Sequence, residues 1–145
     1  MKKHSYQIFG YAGVIPFIVF AVGTYHHQDS LMFKNLYLMM QLFYAGLIIA
    51  FLSASYWHES LFNEKPLIQF ICMTPVILLL PIFFWGMTHS PPQALLACIA
   101  LFWGLFAMDR LYGLNHGWPK GYMLFRFNLT ALVTLCLFAT YWIGA

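Results

Sequence analysis

Five stretches of this chain are each apolar and long enough to approach or exceed the thickness of a lipid bilayer: residues 8–25, 36–57, 67–87, 94–108 and 122–143. A spanning helix needs about 20 mostly apolar residues, because the hydrocarbon core is about 30 Å thick and each helical residue rises about 1.5 Å. Only helices and closed barrels satisfy every backbone polar group inside that core. The five runs lack the strict alternation of barrel strands, so helices are expected. A chain that is 62% hydrophobic and only 8% charged fits the same class. The expected fold is an all-α membrane protein, one domain over residues 1–145, built as a bundle of five transmembrane helices. The fourth run is the shortest, and Pro91, Pro92 and Gln93 are expected to close off its start. Growth toward Leu111 would place Asp109 and Arg110 near the headgroups.

The cations orient the bundle. Short cytoplasmic loops carry an excess of Lys and Arg. With the N-terminus inside, the inner side receives Lys2, Lys3, Lys65, Arg110, Lys120 and Arg126, and the outer side only Lys34. The expectation is N-terminus inside and C-terminus outside, with a bias too strong for a dual-topology protein. The net charge of +3 is then a topology signal. The cations are scattered and form no aromatic-interleaved basic stripe, so nucleic acid is not an expected partner. Lys2 and Lys3 before an apolar run also resemble a signal peptide, but Tyr11 and Pro16 interrupt the run and Gly23 fits a cleavage site poorly. The simplest address is the inner membrane of a bacterium. Cys72, Cys98 and Cys136 all fall within spans and form no CxxC pair, which reads as buried small hydrophobes.

In lipid, small residues mark the faces where helices touch. The second span carries Gly46, Ala50 and Ala54 at four-residue steps beside Ser53, and the fourth carries Ala97, Ala100, Gly104 and Ala107 at helical spacing. These two stripes are expected to form the tight core of the bundle. Pro75 and Pro81 should kink the third span and free carbonyls there, with Thr74 placed to help.

Polar residues concentrate at the expected inner side. Tyr56, Trp57, His58 and Glu59 end the second span, Asp109 and Arg110 end the fourth, and Arg126 lies about one turn into the fifth. A cation at that depth must snorkel or find an anion. Asp109 is the first candidate and Glu59 the second. The cluster of Asp109, Arg126, Trp57, His58 and Glu59 reads first as a structural ion pair and second as a ligand or partner site. Arg126, Thr130 and Thr134 make a modest polar stripe on the fifth span. At the expected outer side, His26, His27, Asp29 and His89 contain metal-ligand types, but nothing fixes their geometry, and no metal is expected. No His lies mid-span, which disfavours a bis-His haem, and no cofactor is expected. No carboxylate lies near a span centre, which weakens a proton- or sodium-coupled carrier. Ser/His/Asp, HExxH and phosphate-loop motifs are absent, so no catalytic residue is assigned. Trp57, Trp85, Trp118 and Trp142 near span ends read as interfacial anchors.

Three segments carry a family resemblance. Gly10-Tyr11-Ala12-Gly13-Val14-Ile15-Pro16-Phe17 resembles the opening Gly-Leu-Ile-Pro-Phe signature of domain-of-unknown-function family 3429, which also includes the mitochondrial transmembrane protein 69. Tyr44-Ala45-Gly46-Leu47-Ile48-Ile49-Ala50-Phe51-Leu52 is similar to its second-span motif. Tyr122, Arg126, Leu129 and Thr130 fit its fifth-span pattern, and Asp109 an acidic position before it. Where the family has two Gly and then His-Trp-Gly, this chain reads Ser53-Ala54-Ser55-Tyr56-Trp57-His58; Trp57 alone keeps its place and Tyr56 stands at the family's His. The resemblance implies five membrane spans and no particular activity.

With no catalytic motif, the leading expectation is a non-enzymatic inner-membrane protein that docks to, or helps assemble, a larger membrane complex. Its partners would be the bilayer and another membrane protein or further copies of itself. The alternative is a small oligomeric permease or channel, with Thr130, Thr134, Gln41 and Ser53 as its polar path. A third is an intramembrane enzyme or redox subunit using the inner cluster.

Overall fold

The computed structural model describes residues 5–61, 66–112 and 122–144, without the side chains of Ser5, Tyr6, Glu59, Ser60 and Tyr112. Lys2, Lys3, Lys65, Lys120 and Trp118 lie outside the described residues, and so does the Glu59 carboxylate. Among the described residues six helices follow one another: α1 (Ser5–Ala12), α2 (Ile15–His26), α3 (Leu31–Ser60), α4 (Pro66–Thr88), α5 (Pro91–Tyr112) and α6 (Tyr122–Gly144). Five segments are long and apolar enough to span a membrane: Gln7–His26, Leu31–His58, Pro66–Thr88, Pro91–Leu111 and Tyr122–Gly144.

The first span is not one helix. Pro16 has no N–H to give the carbonyl of Ala12, and the ladder breaks between α1 and α2. The chain tightens there: the Gly13 N–H reaches the carbonyls of Phe9 and Gly10, both at 3.1 Å, and the Val14 N–H reaches Tyr11 at 3.0 Å. The carbonyl of Gly13 accepts the Tyr44 hydroxyl of α3 at 2.8 Å, which satisfies a group that hydrocarbon would leave exposed.

The prolines at residues 91 and 92 start α5 and do not close it off, contrary to the sequence expectation. A first-turn proline costs a helix nothing, because its missing N–H has no intrahelical acceptor there. The Ser90 carbonyl takes the Ala94 N–H at 3.3 Å. In α4 the helix runs through both Pro75 and Pro81. Thr74 donates back to Phe70 at 3.1 Å, and Ser53 of α3 donates to the Cys72 carbonyl in the proline-loosened stretch.

α3 is the hub, touching α2, α4, α5 and α6, and α5 touches α3, α4 and α6. α4 therefore packs on one flank of the α3–α5 pair, and α2 and α6 close the other. α4 is both the most apolar span, with mean hydropathy 2.4, and the least buried. Its outward Leu67, Phe70, Leu80 and Phe84 have lipid as their solvent.

The buried seams step by three and four residues, the spacing of left-handed packing. They read Leu38, Leu42, Ala45, Ile49, Ser53 and Tyr56 on α3; Leu95, Cys98, Phe102, Leu105 and Asp109 on α5; Arg126, Thr130, Val133, Leu137 and Thr140 on α6. Of the small residues expected in the core, Gly46 is buried, Ala50 and Ala97 are half-buried, and Ala54, Ala100 and Gly104 are exposed. Gly46 meets α4: a methyl there would stand 2.9 Å from Cε1 and Cε2 of Phe83. Around Gly104 nothing lies within 4 Å of the corresponding point. The two stripes thus do not pack on each other. Lipid and a neighbouring helix are equally apolar, so α5 turns its large side chains inward, where they make more dispersion contacts.

Candidate functional site

Three helix ends meet where α3 finishes, α5 finishes and α6 begins. Tyr56, Asp109 and Arg126 are 5%, 1% and 5% exposed, so all three polar groups are withdrawn from the surface. Nε of Arg126 donates to the Tyr56 hydroxyl at 3.2 Å, and that hydroxyl donates to Oδ2 of Asp109 at 3.2 Å. The expected pairing of Asp109 with Arg126 is therefore indirect. A phenol stands between the charges, and the proton order runs one way along the chain from guanidinium to carboxylate. Tyr56 is the residue that sequence reasoning did not single out. Its polar tip and its i–3 spacing from buried Ser53 were the available signal.

Trp57 and His58 follow on α3 with exposed side chains, because each residue rotates the helix by about 100° and carries them off the buried seam. The trio is thus Tyr56, Asp109 and Arg126, and Trp57 and His58 sit outside it. Arg110 is exposed at the same end, and Lys34 belongs to the start of α3 at the other.

The trio spends only part of its bonding capacity. Nη2 of Arg126 and Oδ1 of Asp109 are both buried with no hydrogen-bond partner among the described residues. Arg126 also lines an apolar cleft of about 290 Å³ enclosed by the α1–α2 break, α3, α5 and α6. Its walls include Gly13, Val14, Phe17, Ile48, Phe102 and Val133, with Phe9 and Phe51 also lining it. Thr130, the other polar side chain among the described lining residues, donates its hydroxyl to the Arg126 carbonyl at 2.9 Å.

A second buried polar group sits nearer the other end. Nε2 of Gln41 donates to the Phe17 carbonyl at 3.1 Å and to Oγ1 of Thr140 at 3.0 Å, joining α2, α3 and α6. Thr134 donates to its own helix, at the Thr130 carbonyl. The histidines of that end are engaged locally: His27 bonds the Gly23 carbonyl at 2.9 Å, and His89 stacks on Trp85 at 4.4 Å and bonds the Thr88 hydroxyl. Among the described residues no three His, Cys, Asp or Glu side chains gather as a metal site would require.

Phe17 packs edge-on against Tyr44 at 4.7 Å and Phe102 at 6.2 Å, so α2, α3 and α5 share one aromatic contact beside the cleft. The family described as "Protein of unknown function (DUF3429)" matches residues 2–142. The chain belongs to this family. No curated protein and no solved structure matches the chain. The segments that carry the family likeness share one place in the fold: Gly10 to Phe17, Ile48 to Leu52, and Arg126 with Leu129 and Thr130 each contribute lining to the cleft.

Proposed function

We propose that this integral membrane protein is a non-enzymatic inner-membrane component that docks against a helix of a partner membrane protein and so assists assembly of a larger complex. One observation carries the reading. On α5, Ala100, Gly104 and Ala107 form an outward-facing track of small side chains, and the space over Gly104 is open. Small residues on a lipid-facing track let a second helix backbone come close, and dispersion then drives association without a hydrophobic term. The permease reading has less behind it, because the hydroxyls of Thr130, Thr134 and Ser53 are each committed to backbone carbonyls.

The test is a mild-detergent pull-down of the tagged chain at native abundance, run beside the double variant Ala100→Ile, Gly104→Ile. A stoichiometric membrane partner that is lost from the variant, with the bundle's thermal stability unchanged, is the expected result. Recovery of the protein only with copies of itself, or of the same partner with the variant, would overturn the reading.

A further inference from the structure

We propose that the cleft beside Arg126 is a binding site for an anionic phospholipid, whose phosphate pairs with the Arg126 guanidinium and whose acyl chain lies in the apolar cleft. The inference uses a different face from the α5 track and stands without it. Arg126 is 5% exposed, its Nε is committed to Tyr56, and its Nη2 has no acceptor among the described residues. A guanidinium presents planar, forked donors that match a phosphate, and a buried donor left unmatched is costly.

Depth favours a lipid headgroup. Arg126 is four residues beyond the start of α6, about 6 Å along the axis, and the headgroup layer on each side of the hydrocarbon is itself about 6 Å thick. The guanidinium therefore lies within reach of the phosphate level. The remaining space is apolar and holds about ten water-sized volumes, enough for part of one acyl chain and not for a second headgroup. Phe9 and Phe51, 73% and 69% exposed, sit at its rim, so a chain can enter sideways from the bilayer. Asp109 lends the trio a compensating charge, but Tyr56 holds it away from Nη2, and the carboxylate is not part of the cleft wall.

Native mass spectrometry of the detergent-solubilised full chain, titrated with dioleoylphosphatidylglycerol or with dioleoylglycerol, which has the same acyl chains and no phosphate, tests this. The anionic lipid should bind about tenfold more tightly, the value of one charge-assisted hydrogen bond. Arg126→Gln should bring the two lipids to parity. Because that variant can fail to fold, Ile48→Phe serves as an independent probe: it narrows the cleft, leaves the trio intact, and should weaken phosphatidylglycerol binding. Equal binding of the two lipids by the unaltered chain would overturn the proposal. So would a folded Ile48→Phe protein with undiminished binding. Displacement of the lipid by inorganic phosphate alone would show an oxyanion site without a chain site, and would overturn it as well.

Discussion

The Tyr56 hydroxyl lies 3.2 Å from Nε of Arg126 and 3.2 Å from Oδ2 of Asp109, so one phenol ties together the ends of α3, α5 and α6. Removing that oxygen while keeping the ring leaves a buried donor and a buried acceptor unmatched. Tyr56→Phe should therefore cost about 1–3 kcal/mol, read as a lowered thermal midpoint in mild detergent. The charges are coupled through it. Asp109→Asn and Arg126→Gln should each destabilise, and together should cost less than their sum, with a coupling of about 0.5–3 kcal/mol in a double-mutant cycle. Strict additivity would mean that the hydroxyl relay carries no energy.

Gly46 and Gly104 should respond oppositely to a methyl group. At Gly46 the new carbon meets the Phe83 ring, and Gly46→Ala should cost about 1–3 kcal/mol, with Phe83→Leu restoring part of the loss. Gly104→Ala should stay within about 0.5 kcal/mol, since the space there is open. Thermal unfolding of the three variants decides the matter. A destabilised Gly104→Ala would mean that this face is covered in the folded protein.

Gln41 offers a test of how polar groups balance inside the bundle. Its Nε2 makes two bonds to other helices, worth about 0.6 kcal/mol each, while its buried Oε1 has no partner among the described residues. Gln41→Leu loses the bonds but also removes the stranded oxygen, so stability should move by less than about 1 kcal/mol. Thr140→Val removes the acceptor, together with its own bond to the Cys136 carbonyl, while the Gln41 amide stays buried, and should cost more, about 1–2 kcal/mol. If Gln41→Leu proves the worse of the two, the unmatched oxygen is not a burden.

The proposed orientation, N-terminus inside, predicts that alkaline phosphatase fused after Ala145 is active and that green fluorescent protein at the same place is dark. The opposite pair of signals would reverse the bundle and place the Tyr56 trio on the outer side.

The spans were legible because length and hydropathy alone decide what can cross a bilayer. Pro16 marked an interruption of the first run, but hydropathy stays high across Gly13 and Val14 and did not show that the helix breaks there. The helical role of Pro91 and Pro92 was missed because a proline that stops one helix can equally start the next. Facing was the least legible property. In water, polarity tells a helix's outer side from its inner side; in lipid Leu95 and Leu96 are chemically alike, yet one is fully buried and the other exposed. The polar positions were better guides: Asp109 and Arg126 lie at one end of the bundle, and what sequence could not supply was the oxygen between them.

The α6 helix leaves the ribosome after the five helices before it, and two buried polar centres depend on it. A chain inserted only through α5 holds Tyr56 and Asp109 without Arg126, and Gln41 without Thr140. Until α6 arrives, the nascent bundle carries a carboxylate without its Arg126 partner at the membrane's edge and an incompletely bonded amide inside it. Arrival of α6 and completion of these two polar centres are thus the same event, which makes a chain cut short before α6 physically distinguishable from one that contains it.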